Sequence, residues 1–251
     1  MTESDKTHED YIARIGGTAA TARGFMGRRW NRYYFRTLKR TVRDMLADEV
    51  GTDSTVLDIG TSHGNWLPFL RQLGFHTVVG VELDAERAEQ ARRAGYDEIY
   101  NCDARGVPRP SDSIDVAVSN DVFVHILRLQ DKAAIVRETE RLLRPGGVMV
   151  FNHSSARAFG HHAAHIRDHC SYLTLDEFIR LVRDNSSFVI EDIKPSYYSV
   201  LGHPQRRTLR HLLMAMPFGW MATSLLDHGV RQHQPIDLSD YVYLKVRKPG
   251  G

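Results

Sequence analysis

The fold class this sequence predicts is α/β, with an open and mostly parallel sheet, and three observations predict it. Short, β-branched apolar runs recur at residues 55–59, 76–82, 114–119 and 148–153. They alternate with segments whose apolar residues fall at helical spacing, which is the pattern of a parallel sheet with crossover helices. The first run reaches an acid, Asp58, and then breaks into a glycine-bearing turn through Gly60 and Gly64 before a helix begins. Strand, turn and helix in that order form the opening unit of nucleotide-binding α/β domains. Glycines there let a ligand approach the backbone and allow dihedrals that other residues resist.

Taken in order, residues 1 to about 22 read as a loose polar tail without the apolar core of a signal peptide. From about 24 to 47, Trp30, Tyr33, Tyr34, Leu38, Val42, Met45 and Leu46 recur at three- and four-residue steps, and seven basic residues crowd the same segment. This predicts an amphipathic helix, either packed on the core or acting as a lid. Residues 1–50 are therefore read as tail and helical lid, and 51–251 as the main domain. The 251 residues carry a net charge of only +2, so no nucleic-acid partner is expected. Cys102 and Cys170 form no CxxC pair, which points to a reducing cytoplasm. No run approaches the ~18 apolar residues of a membrane span.

The turn reads Asp58-Ile59-Gly60-Thr61-Ser62-His63-Gly64, which is acid-x-Gly-x-x-x-Gly rather than the dinucleotide fingerprint Gly-x-Gly-x-x-Gly. It resembles motif I of the class I S-adenosylmethionine-dependent methyltransferases of small-molecule type, with Ser62 where the family usually has its middle glycine. The following helix stops at Gly74. The run 76–82 is a buried strand ending in Glu82, and Asp84 caps a helix that Gly95 ends. An acid at the tip of the second strand accepts hydrogen bonds from ribose hydroxyls in this architecture, for NAD as for other adenosine ligands. Glu98 to Ala104 is a short third strand followed by Asp103-Ala104, similar to the family's adenine site.

Residues 114–119 form the fourth strand, and Ser119-Asn120-Asp121-Val122 with His125 resembles the family's motif after strand four. A helix from about 129 to 143 ends at Arg144-Pro145-Gly146-Gly147, a join common in the family, and 148–153 is the fifth strand. Thr174 and Glu177 announce a helix through a capping box. Residues 188–193 and 241–246 are the last two strands, and the resemblance implies a seven-stranded, Rossmann-like sheet with the seventh strand antiparallel. Between them lies an excursion at 198–238, with Arg206, Arg207, Arg210 and an apolar run from Leu212 to Leu226. A substrate cap, a homodimer contact and an interfacial membrane contact are its three candidate roles.

The resemblance implies a methyltransferase that uses S-adenosylmethionine. It places Asp58, Gly60, Gly64, Glu82, Leu83, Asp103, Ala104 and Asn120 at the cofactor. The expected acceptor is a small or lipid-like molecule, methylated at oxygen in preference to nitrogen. The transferred methyl is already activated, so positioning supplies much of the acceleration, roughly 7–11 kcal/mol in ideal models. An imidazole suits the proton-accepting role that a hydroxyl acceptor requires. His153 and His125 both lie at carboxyl ends of strands, with His153 the first choice. His161, His162, His165 and His169 tempt a metal reading. If the segment is a helix, three of them share a face, yet one straight helix supplies only two ligands, so no metal is expected. An NAD(P)-dependent oxidoreductase and a catalytically silent S-adenosylmethionine-binding subunit are the rival readings.

Overall fold

The computed structural model describes residues 25–51, 53–159, 161, 163–167, 170–197, 216 and 235–250. Helix α1 (Phe25–Met45) leads into strand β1 (Thr55–Ile59), helix α2 (Leu67–Leu73), β2 (Thr77–Glu82), α3 (Ala85–Ala94) and β3 (Glu98–Asn101). Then follow β4 (Ile114–Ser119), α4 (Leu129–Leu142), β5 (Leu143–Ser154), β6 (His165–Arg167), β7 (Cys170–Tyr172), α5 (Leu175–Arg183), β8 (Val189–Tyr197) and β9 (Tyr241–Arg247). Seven strands form one sheet in the order β3-β2-β1-β4-β5-β9-β8. All pairings are parallel except those of β9, which runs antiparallel to both β5 and β8. The expected architecture is therefore present. Order reverses beside β1, so the carboxyl ends of β1 and β4 flank the crevice where open α/β sheets bind ligands.

Both faces of the sheet are covered, which is why its central strands are apolar throughout rather than alternating. On one face Leu57, Ile59, Val79, Val81 and Phe151 pack with Ile135 and Val136 of α4 and Phe178 and Leu181 of α5. On the other, Val56, Val78, Val116, Val148 and Val150 pack with Leu38, Val42, Met45 and Leu46 from α1 and its end, and with Phe69 and Leu70 of α2. The C-terminal half of α1 thus completes the main core. A boundary at residue 50 between helical lid and domain does not match this packing. Lys39 and Arg43 lie over the rings of Trp66 and Phe69, so two of the crowded basic residues cover apolar surface.

Local signals fall where the chemistry puts them. Asp84 accepts from the Arg87 amide at 2.8 Å, and Gly74 and Gly95 close their helices at φ +109° and +104°. Thr174 and Glu177 form the reciprocal capping box of α5. Helix α2 begins three residues later than Gly64, because Gly64 to Trp66 stay in a turn and Pro68 favours the first helical turn. Among its described residues the histidine-rich stretch contains no α-helix. A short turn at Arg157–Phe159 precedes the β6–β7 hairpin, and Leu173 bridges to Ser155 at the end of β5. The tail to residue 24 and nearly all of the 198–238 excursion lie outside the described residues, as do His162 and His169.

Candidate active site

The turn after β1 is built on left-handed backbone. Gly60, Ser62 and Gly64 have φ of +79°, +49° and +81°. A Cβ on Gly60 would lie 2.3 Å from Val122 Cγ2, so the loop after β4 sits directly against this turn. The Gly60 and Thr61 amides donate to the Val81 carbonyl at 2.8 and 3.2 Å, which ties the turn to β2. Ser62 shows why a glycine is the usual choice at its position: an L-residue held in left-handed backbone costs about 1–2 kcal/mol.

The three expected acids lie at or just after the carboxyl ends of β1, β2 and β3, each with different partners. Asp58 is 1% exposed and accepts from Tyr96 Oη at 2.5 Å. Burial, with the charge of Glu82 adding to it, pushes its carboxyl up to about 7 against the pull of Tyr96 and Lys39. Glu82 accepts from the Ser62 amide at 2.8 Å and the Asp84 amide at 3.1 Å, locking the first turn to the tip of β2. Each of its two oxygens keeps acceptor capacity for a hydroxyl. Leu83 beside it is 43% exposed, an apolar surface of the kind an adenine ring covers. Asp103 is engaged differently from the expectation. Arg105 grips both its oxygens, at 3.0 and 2.6 Å, and also reaches Asp131 at 2.8 Å. An exocyclic amine there would share Asp103 with Arg105, while Ala104 is partly buried against the core.

Asn120 accepts from Tyr243 Oη at 2.7 Å through Oδ1, but its Nδ2 is buried without a partner. Thr61 Oγ1 and Ser119 Oγ are likewise buried and unpartnered. These three groups belong to the carboxyl ends of β1 and β4. Unpaired buried polar atoms cost about 1–3 kcal/mol each, so such a cluster fits a polar ligand that satisfies it. Together with the glycine turn and the acids, the donor set fits S-adenosylmethionine.

Comparison with known proteins decides the family. A methyltransferase-domain family model matches residues 30–220. The chain belongs to the methyltransferase-domain family. The chain is 30% identical over 122 residues to a sarcosine/dimethylglycine N-methyltransferase from Halorhodospira halochloris, covering 45% of this chain and 43% of that protein. The chain therefore spans less than half of that relative's length. A S-adenosylmethionine-dependent methyltransferase from Mesorhizobium loti superposes with a TM-score of 0.57 at 18% identity, over 83% of this chain and 96% of that one. Geranyl diphosphate C-methyltransferase from Streptomyces coelicolor A3(2), solved with S-adenosyl-L-homocysteine, gives 0.56 at 20% identity over 84% and 76% of the two chains. The fold is shared with both structures. The chain carries the methyltransferase domain of this family, and among its described residues no helix is long and apolar enough to cross a membrane.

Away from these residues, the chain carries two polar clusters, one half-buried and one buried, that the sequence motifs did not announce. In the first, Asp121, at φ +59°, receives the Tyr34 hydroxyl from α1. Asn152 of β5 braces it by accepting from the Asp121 amide at 2.8 Å. Burial raises the Asp121 carboxyl pKa, while the hydrogen bonds from Tyr34 and Asn152 oppose the rise. The Tyr241 ring lies tilted against that of Tyr34, with centroids 5.5 Å apart. Helix α1 is thereby latched to the loop that packs on Gly60.

The second cluster corrects the first choice of base. His153 is 2% exposed, and both its nitrogens are occupied. Nδ1 donates to the Ser154 carbonyl at 2.8 Å, and Nε2 accepts from Lys132 Nζ at 3.0 Å. No nitrogen remains to take a substrate proton. Lys132, fully buried, also donates to the Phe123 carbonyl and so holds the turn Phe123–His125. His125 is half-buried, with Nδ1 3.8 Å from Cys170 Sγ. Burial, helped by Lys132 and Arg87, lowers its pKa to about 4, so its imidazole is neutral at physiological pH. Elsewhere, His165 stacks on Tyr172 at 4.7 Å and lies 3.5 Å from His161, ring to ring. Among the described residues no three His, Cys, Asp or Glu side chains are placed to share a metal ion.

Proposed function

We propose that this methyltransferase acts on a small-molecule acceptor and transfers the methyl group to an oxygen, with His125 as the proton acceptor. The observation that carries the reading is the place of His125, half-buried at the end of the turn that follows β4. When bound, the cofactor supplies a methyl group activated by its sulfonium. The chain's own contribution is to anchor that cofactor and align the acceptor. Asp58 accepts the cationic amino-acid end, directly or through water, Glu82 the ribose hydroxyls, and Asp103 with the Ala104 backbone the adenine edge. The latched Asp121 loop fixes the wall against Gly60, and His125 takes the hydroxyl proton as the new bond forms. General-base assistance contributes roughly 10²–10⁴ in rate, and the lowered pKa of His125 puts its share at the low end of that range.

A second reading, transfer to nitrogen, is supported by the 30% identity to a sarcosine/dimethylglycine N-methyltransferase. The two readings separate in one assay. The protein is incubated with methyl-labelled S-adenosylmethionine and a metabolite extract, and the labelled product is analysed by mass spectrometry. A methyl ether, lost at least a hundredfold with His125→Ala, is the expected result. An N-methyl product, or full turnover by His125→Ala, would overturn the oxygen reading.

A further inference from the structure

Asp58 points to the same face of β1 as Val56, toward the layer that contains Tyr96. Tyr96 follows Gly95 at the end of α3 and is 7% exposed. Its ring occupies space that two glycines leave open. A Cβ on Gly80, in the middle of β2, would lie 3.1 Å from Tyr96 Cδ1, and one on Gly64 would lie 3.4 Å from Tyr96 Cε2. The same two positions meet other atoms even more closely, so neither admits a side chain without a shift: Gly80 would strike Ile99 and Thr61 at 2.4 Å, and Gly64 would strike Ala94 at 2.8 Å. The result is a phenol fixed behind the acid of the first motif, with Oη 2.5 Å from Asp58 Oδ2.

We propose that Tyr96 is a positioning residue for the cofactor's cationic amino-acid end, and that Asp58 releases a proton to solvent when that end binds. The inference rests on Asp58 as the anchor of that end. A carboxylic acid cannot form an ion pair with an ammonium group. Binding therefore converts the acid and the free ammonium into a carboxylate–ammonium pair plus one solvent proton, and the charges balance. Among the described residues, the ionisable groups facing Asp58 are Tyr96 from beyond α3, Glu82 from β2 and Lys39 from α1. Tyr96 and Lys39 favour the carboxylate, while Glu82 and burial oppose it. With the acid poised at about 7, part of the population must lose a proton at neutral pH before it can pair. Tyr96 donates its hydrogen bond to the ionised form, so it lowers the cost of that step.

The test is calorimetric titration of the full chain with S-adenosylhomocysteine, which keeps the amino-acid end and undergoes no transfer. Titrations are run from pH 6 to 9 in pairs of buffers with different ionisation heats. Wild type is expected to release protons on binding below pH 7. It should bind about tenfold more weakly at pH 6 than at pH 8. Tyr96→Phe retains the ring that fills the glycine-lined space, and a thermal melt verifies its fold. Its affinity deficit is expected to be largest at pH 6 and to shrink toward none by pH 9. Deprotonation of the ligand's own amine affects both proteins alike and cancels in the ratio. A deficit of equal size at every pH, or none, would overturn the positioning role. Absence of proton release by wild type would overturn the linkage, even if Tyr96→Phe failed to fold. Asp58→Asn separates the two levels: if it binds as tightly as wild type at pH 8, the anchor reading itself fails.

Discussion

Lys132→Met should change stability in a pH-dependent way that can be worked from the structure. Lys132 lies on the buried stripe of α4 and is 0% exposed, and among the described residues no carboxylate pairs with it. Burial lowers its pKa from 10.5 to about 7, with Cys170 opposing. At 1.36 kcal/mol per pH unit, that gap corresponds to a burial cost of about 5 kcal/mol at neutral pH. The sign follows from proton counting. Between about 7 and the ordinary lysine value the unfolded chain binds more protons than the folded one, so stability rises as pH increases through this window. From pH 7 to pH 9 wild type should gain about 2 kcal/mol from this source. Methionine removes the titration. It also leaves the Phe123 carbonyl and His153 Nε2 without their donor, at about 1–3 kcal/mol each. The net at pH 7 is therefore small, while the difference between the proteins moves by about 2 kcal/mol between pH 7 and 9. Urea unfolding at both pH values measures it. Methyl transfer by the variant should fall, because the turn bearing His125 loses its tether. Identical pH dependence in the two proteins would refute the reasoning.

Three further substitutions test the site from other sides. Gly60→Ala imposes a side chain at φ +79° and 2.3 Å from Val122 Cγ2. It should cost about 2–4 kcal/mol by urea unfolding and abolish calorimetric binding of S-adenosylhomocysteine. Ser62→Gly relieves the left-handed backbone at φ +49° but returns chain entropy and loses the contact with His63, so stability should rise by at most about 1 kcal/mol with cofactor affinity kept. Tyr34→Phe removes the donor to half-buried Asp121 and should lower stability by about 1 kcal/mol at neutral pH. It should also make the α1–β4 loop contact more susceptible to amide hydrogen exchange.

The sheet was legible because its physics is local and repetitive. Buried parallel strands read as apolar runs, helices end at glycines in left-handed backbone, and Thr174 with Glu177 spells a capping box. The residues proposed to hold the cofactor could be picked out for the same reason: Asp58, Gly60, Gly64 and Glu82 lie on one strand–turn–helix–strand unit. Asp121 stood inside a recognised motif but was passed over for Asn120, since only its φ of +59° and the distant Tyr34 distinguish it. Tyr96 carried no signal beyond following a helix-ending glycine, because its partners Gly64, Gly80 and Asp58 converge only in three dimensions. Lys132 could have been found, as a lysine on the stripe shared with Val136 and Thr139 is a buried charge in plain view. His153 was misjudged because position at a strand end says nothing about whether the ring faces the crevice or the core. The histidine-rich segment carries Phe159, Ala163, Ile166 and Cys170 at helical spacing, so periodicity alone could not reveal the β6–β7 hairpin.

A crystal structure of the protein with S-adenosylhomocysteine tests the central assignment most directly. The account predicts the ligand against Gly60 and Gly64, with Glu82 accepting from its ribose and Thr61 Oγ1, Ser119 Oγ or Asn120 Nδ2 gaining a partner. A ligand bound elsewhere, with Glu82 still held only by the Ser62 and Asp84 amides and all three buried atoms unsatisfied, would contradict it.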